Sequence, residues 1–144
     1  MTVAAITAVL GGRKILKRKV DFDADLRLIT REGLPVKALP ALAEELHVDR
    51  KVLAKVVGIS ERTLSRRLAS GSKLSAEESD RTMRVARVFA LAKDTLGDSE
   101  KAGRWLRKTN MALGGEVPLD LLDTDAGRHD VETILRRIEY GIYS

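Results

Sequence analysis

Apolar residues recur along this chain at intervals of three and four, the spacing that lines up one face of an α-helix, and alternation of period two is scarce. The pattern predicts an all-α protein. It is clearest over residues 52–69. Leu53, Val56 and Val57 make one apolar stripe, Gly58 favours a sharp helix exit, Ile59 can turn inward, and Ser60 stands where an N-cap belongs. Leu64 and Leu68 follow four apart, with Glu61, Arg62, Thr63, Ser65, Arg66 and Arg67 on the rest of the second helix. Two helices around a small turn, an apolar seam and an outer face of Arg, Ser and Thr predict a helix-turn-helix. The plainer alternative is an ordinary basic helical hairpin.

The same spacing predicts helices elsewhere. Residues 3–10 form one, stopped by Gly11-Gly12; 21–31 form a second, with Phe22, Leu26 and Ile29 as its apolar side and Gly33 and Pro35 ending it. Residues 37–46 turn Leu39, Leu42, Ala43 and Leu46 inward, with Pro40 in the first turn, and Asp49 caps the helix that enters the 52–69 motif. Ser75 with Glu78 reads as a capping box that opens a long helix to Leu96. Its second half is apolar on more than one face, which places it centrally. Glu77–Arg81 and Asp80–Arg84 are spaced to pair along it. The Arg81, Arg84, Arg87 row reads as a solvated face or a phosphate contact. Another helix runs from Asp98 to about Lys108 with Ala102, Trp105 and Leu106 buried. A short turn begins at Pro118, and a last helix over 127–140 buries Val131, Ile134, Leu135 and Ile138.

Charge divides the chain. Residues 1–74 carry fifteen Lys and Arg against eight Asp and Glu, a net of +7, whereas 75–144 carry eleven against thirteen, a net of −2. We therefore expect a basic N-terminal domain, 1–74, suited to a polyanion, and a C-terminal domain, 75–144, suited to another partner. The basic run at 13–19 reads equally as a phosphate-contacting arm or a mobile linker.

Composition removes several chemistries. There is no Cys, and His47 and His129 are isolated, so no metal centre, catalytic dyad or cofactor is implied. Ser70-x-x-Lys73 lacks the partner motifs of a nucleophile, and Gly114-Gly115 lacks the strand and Lys-Ser/Thr of a phosphate loop. Asp120, Asp123 and Asp125 invite a calcium reading, but the twelfth position from Asp123 is Ile134, not Glu, and capping explains them better. No apolar run reaches membrane-spanning length, and a cytoplasmic, non-enzymatic protein is expected.

The second half completes a familiar set of elements. LSAEESDRTMRVARVFALA, the Trp105-Leu106 pair, Asn110 ahead of Leu113-Gly114-Gly115, Pro118-Leu119-Asp120-Leu121-Leu122 and the closing Tyr140-Gly141, with Gly33-Leu34-Pro35 upstream, resemble the Xre/MbcA/ParS antitoxins over about residues 34–144. The resemblance implies a C-terminal domain that binds a RES-type, NAD-consuming toxin and obstructs its active site. It also implies an Xre/Cro-like helix-turn-helix domain that dimerises and represses its own operon. On that basis Ser60, Arg62, Thr63, Ser65, Arg66 and Arg67 are the expected DNA contacts. Asn110, Leu113, Asp120, Asp123, Asp125, Arg136, Glu139, Tyr140, Tyr143 and Ser144 are the expected toxin contacts. Asp120, Asp123, Asp125, Glu139 or the carboxylate at Ser144 would mimic the charge of NAD, and the apolar tail at 142–144 would dock. The alternative is a helix-turn-helix regulator whose C-terminal domain serves for oligomerisation or sensing.

Overall fold

The computed structural model describes residues 1–141. Nine α-helices follow in order among them: α1 (Val3–Val9), α2 (Gly12–Leu16), α3 (Asp23–Glu32), α4 (Ala38–Leu46), α5 (Arg50–Val57), α6 (Glu61–Ser70), α7 (Ala76–Leu96), α8 (Ser99–Arg107) and α9 (Asp125–Glu139). Two 3-10 turns, Met111–Leu113 and Pro118–Asp123, join α8 to α9. The described residues hold no strand, only isolated bridges such as Pro35 to Lys73. The expected all-α class holds.

α7 is the centre. Its 21 residues span roughly 32 Å at 1.5 Å per residue. Met83, Val85, Ala86, Val88, Phe89, Ala90, Leu91 and Ala92 are all buried, so it is covered from several sides, by α1, α3, α4, α5, α8 and α9. The capping box forms as expected. The Glu78 N–H donates to Ser75 Oγ at 3.1 Å and the Ser75 N–H donates to the Glu78 carboxylate at 2.8 Å. Asp49, Ser60, Asp98 and Thr124 cap α5, α6, α8 and α9 by a side-chain oxygen that accepts a first-turn N–H, without the reciprocal bond.

One continuous hydrophobic cluster runs from Ile6 to Leu135. The basic and acidic stretches therefore share one core. α4 packs on α8, and α5 packs on the 118–123 turn. Arginines of α7 and α8 join the elements at carbonyls that helix ends leave free. Arg107 donates to the Leu46 carbonyl at 2.6 Å, Arg81 to that of Val57 at 3.3 Å, and Arg84 to that of Leu122 at 3.1 Å. Arg81 and Arg84 thus hold the fold together rather than forming a solvated face. The Asp80–Arg84 pair is present at 3.3 Å, while Arg81 turns away from Glu77 to reach α5.

Three further expectations need correction. The 13–19 run is not a mobile linker, because its first residues fold into α2, Leu16 is buried and Arg18 pairs with Glu32. Phe22 is 71% exposed, since it lies at the N-cap of α3, before the helical face that buries Leu26 and Ile29 begins. Trp105 is only half-buried against the core, and α8 buries Ala102, Gly103 and Leu106 instead.

Candidate functional site

α5 and α6 meet at the expected turn. Gly58 adopts φ 86°, a left-handed conformation that an L side chain strains to reach, and its N–H closes α5 on the Ala54 carbonyl at 2.8 Å. Ile59 is buried as the anchor between the helices. Ser60 is extended, at φ −72° and ψ 153°, and its Oγ accepts from the Thr63 N–H at 3.1 Å. Leu64 is buried and Leu68 half-buried, so α6 lies on α5 with its opposite face in solvent.

The six expected DNA contacts sort into three kinds. Arg62, Ser65 and Arg66 are exposed, and neither arginine pairs with a carboxylate among the described residues. Being four apart, the two arginines stand one above the other on the helix. Ser60 and Thr63 engage each other, the Ser60 hydroxyl also donating to the Thr63 hydroxyl at 2.9 Å, so they fix the start of α6. Arg67 is bound to Glu78 and ties α6 to the first turn of α7. Burial pushes the Glu78 carboxyl up, but the Ser75 N–H and the Arg67 guanidinium outweigh it and hold the group below its ordinary value.

The expected partner contacts lie at two ends of α9. Asp120 and Asp123 are exposed on the turn before it, and Asp125 opens it with its carboxylate on Arg128 at 2.8 Å. That hydrogen bond holds Asp125 below the ordinary Asp value and raises Arg128. Arg136, Glu139 and Tyr140 are exposed at the other end, about 21 Å away over the length of this 15-residue helix. Asn110 and Leu113 belong to the loop before. The Asn110 side chain accepts from the Ala112 N–H at 2.9 Å, which orders that loop. Tyr143, Ser144 and the rest of the expected docking tail lie outside the described residues.

Two features escaped the sequence pattern. Met111, 88% exposed at the tip of the 110–116 loop, is a large apolar side chain presented to solvent beside α9. A cleft between α3, α7 and the start of α9 gathers Arg27, Arg31, Arg84, Arg87 and Arg128 around Asp80 and Asp125. The arginine row on α7 hinted at the second, but only tertiary packing brings α3 and α9 to it.

A helix-turn-helix with a free basic face, on the same core as a C-terminal segment presenting exposed acids, defines a two-ended binding protein. The comparisons agree with that division. Residues 25–87 match the antitoxin Xre-like helix-turn-helix domain, and residues 91–141 match the antitoxin Xre/MbcA/ParS C-terminal toxin-binding domain, the two meeting within α7. An Antitoxin Xre of Photorhabdus laumondii is 36% identical over 120 residues, covering 83% of this chain and 81% of the relative. A Prs ADP-ribosylating antitoxin of Sphingobium sp. is 30% identical over 125 residues, covering 81% and 79%. An Antitoxin Xre of Yersinia enterocolitica is 30% identical over 113 residues, covering 78% and 76%. The chain belongs to the Xre/MbcA/ParS family of antitoxins and carries both its helix-turn-helix and its toxin-binding domain. No helix among the described residues is long and apolar enough to cross a membrane.

Proposed function

We propose that this antitoxin neutralises a RES-type toxin that consumes NAD, by seating its C-terminal region against the toxin's active site, and that as a homodimer it represses its own operon through α6. The observation that carries the reading is the placement of unlike charges on one core. Arg62 and Arg66 on α6, and Asp120 and Asp123 on the turn before α9, are exposed and form no ion pair among the described residues. A pocket that binds the phosphates of NAD is basic, so exposed carboxylates are suited to occupy it. The Sphingobium relative is named for ADP-ribosylation, a reaction that also begins from NAD. DNA binding through α6 draws affinity from phosphate contacts and specificity from arginines that reach base edges.

The test uses the product of the adjacent gene. The purified pair should form a complex, and this chain should abolish NAD consumption by its partner at a stoichiometric ratio. Replacing Asp120 and Asp123 by Asn and Glu139 by Gln should weaken inhibition about ten-fold, the scale of one lost charged contact. Undiminished inhibition by that variant rules out carboxylate mimicry. No effect of the intact chain on NAD consumption rules out the RES assignment.

A further inference from the structure

The helix-turn-helix match begins at residue 25, yet residues 15–18 before it line a groove together with Gly71 and Lys73 at the end of α6. α2 closes at Leu16, which is buried, and Lys17 at φ 56° turns the chain back on itself. Lys17 and Arg18 then form one wall of a groove whose other wall is Val36, Lys37 and Lys73, with Gly71, the C-cap of α6, at its edge. Backbone hydrogen bonds brace that second wall, the Leu74 N–H donating to the Leu34 carbonyl at 2.9 Å and the Val36 N–H to that of Ser72 at 3.4 Å. The groove holds about 490 Å³, many times the roughly 30 Å³ of one water, and no carboxylate lines it. Arg18 shares Glu32, but Lys17, Lys37 and Lys73 are exposed and pair with no carboxylate among the described residues. Three unneutralised cations facing one groove repel one another, and an anion relieves that repulsion.

We propose that this groove binds the phosphodiester backbone of the duplex that α6 reads, so that the N-terminal segment is part of the DNA interface. The inference rests on the proposal that α6 binds operator DNA. Continuity argues for DNA as the occupant. Lys73 lies two residues past the C-cap of α6, and a duplex seated on that helix carries its phosphates past the helix ends. Lysines act as point charges here, adding affinity but no sequence preference.

The experiment measures the salt dependence of binding by the full chain to a duplex from upstream of its own operon and to a scrambled duplex. The triple variant is Lys17→Asn, Lys37→Gln and Lys73→Gln, with Asn chosen because it tolerates the left-handed backbone. Each lost phosphate contact lowers the slope of log K against log salt by about 0.9, so the slope should fall by about 2.7 on both duplexes, with their affinity ratio unchanged. A pair variant, Lys37→Gln with Lys73→Gln, leaves α2 untouched and should lower the slope by about 1.8, which covers a triple variant that fails to fold. The control, Lys101→Gln, Lys108→Gln and Arg137→Gln, removes equal charge elsewhere and should leave the slope near that of the unaltered chain. An unchanged slope in the groove variants, or an equal fall in the control, overturns the groove while operator binding stands. If the unaltered chain binds neither duplex at low salt, operator binding by α6 fails, and the groove inference falls with it.

Discussion

α6 buries a single side chain, Leu64, whereas α9 buries Val131, Ile134 and Leu135 and seats Gly127 against the 118–123 turn. Both helices are amphipathic and rich in arginine, so the sequence pattern makes them look alike. Their arginines differ in what they touch. Arg62 and Arg66 on α6 meet no carboxylate among the described residues, while Arg128 on α9 is held between Asp125 at 2.8 Å and Glu132 at 2.7 Å. α6 is fixed at its ends and seam, by Ser60, Leu64 and Arg67, and leaves one face free. α9 is held by its buried face and, in its first half, by Arg128, and it offers its two ends. The donors of Arg62 and Arg66 are available to an outside partner, whereas those of Arg128 are committed within α9.

The difference predicts unequal responses to substitution. The largest is at Gly127, where an added Cβ would lie 1.8 Å from the Leu121 carbonyl oxygen, far inside contact distance. Gly127→Ala must push α9 off the preceding turn, and we expect a loss of about 3 kcal/mol in urea denaturation together with loss of toxin inhibition. Stability equal to that of the unaltered chain would contradict the close packing of α9 on this turn. Ser60→Ala comes next. It removes the acceptor for the Thr63 N–H and should cost about 1 kcal/mol by the same measurement, with weaker operator binding and intact toxin inhibition.

The smallest effect is a pH dependence at the contact that joins α6 to α7. The Glu78 carboxyl is held below its ordinary 4.5 in the folded chain, so its contribution is present above that value and fades as pH falls through the lower folded value. The stability gap between the unaltered chain and Glu78→Gln, followed by thermal denaturation, should therefore narrow as pH falls below about 4.5. A gap that widens with acid has the wrong sign for this contact.

Local chemistry was legible in the sequence. Gly58, Ser60, Ser75 and Asp98 announce their turns and caps because each acts within three or four residues of itself. Long-range partners were not. Nothing near Arg67 shows that it will meet Glu78, eleven residues on, and nothing near Arg81 shows that it will choose the Val57 carbonyl over Glu77. The basic run at 13–19 suggested an arm because its charge is local, whereas the burial of Leu16 that folds it back depends on the whole core. For the proposed partner surface, the acids at 120–125 and the end of α9 were each visible, but the length of helix that separates them was not part of the pattern.

The central claim is that the DNA-reading face and the toxin-blocking face are separate on one core. It is tested most directly by growth of cells that make the adjacent toxin together with the antitoxin carrying Arg62→Ala and Arg66→Ala, each from a promoter that neither protein controls. The account predicts growth equal to that with the unaltered antitoxin, although the variant no longer binds the operon's upstream DNA. Growth arrest, with the variant folded and present at the normal level, would contradict it.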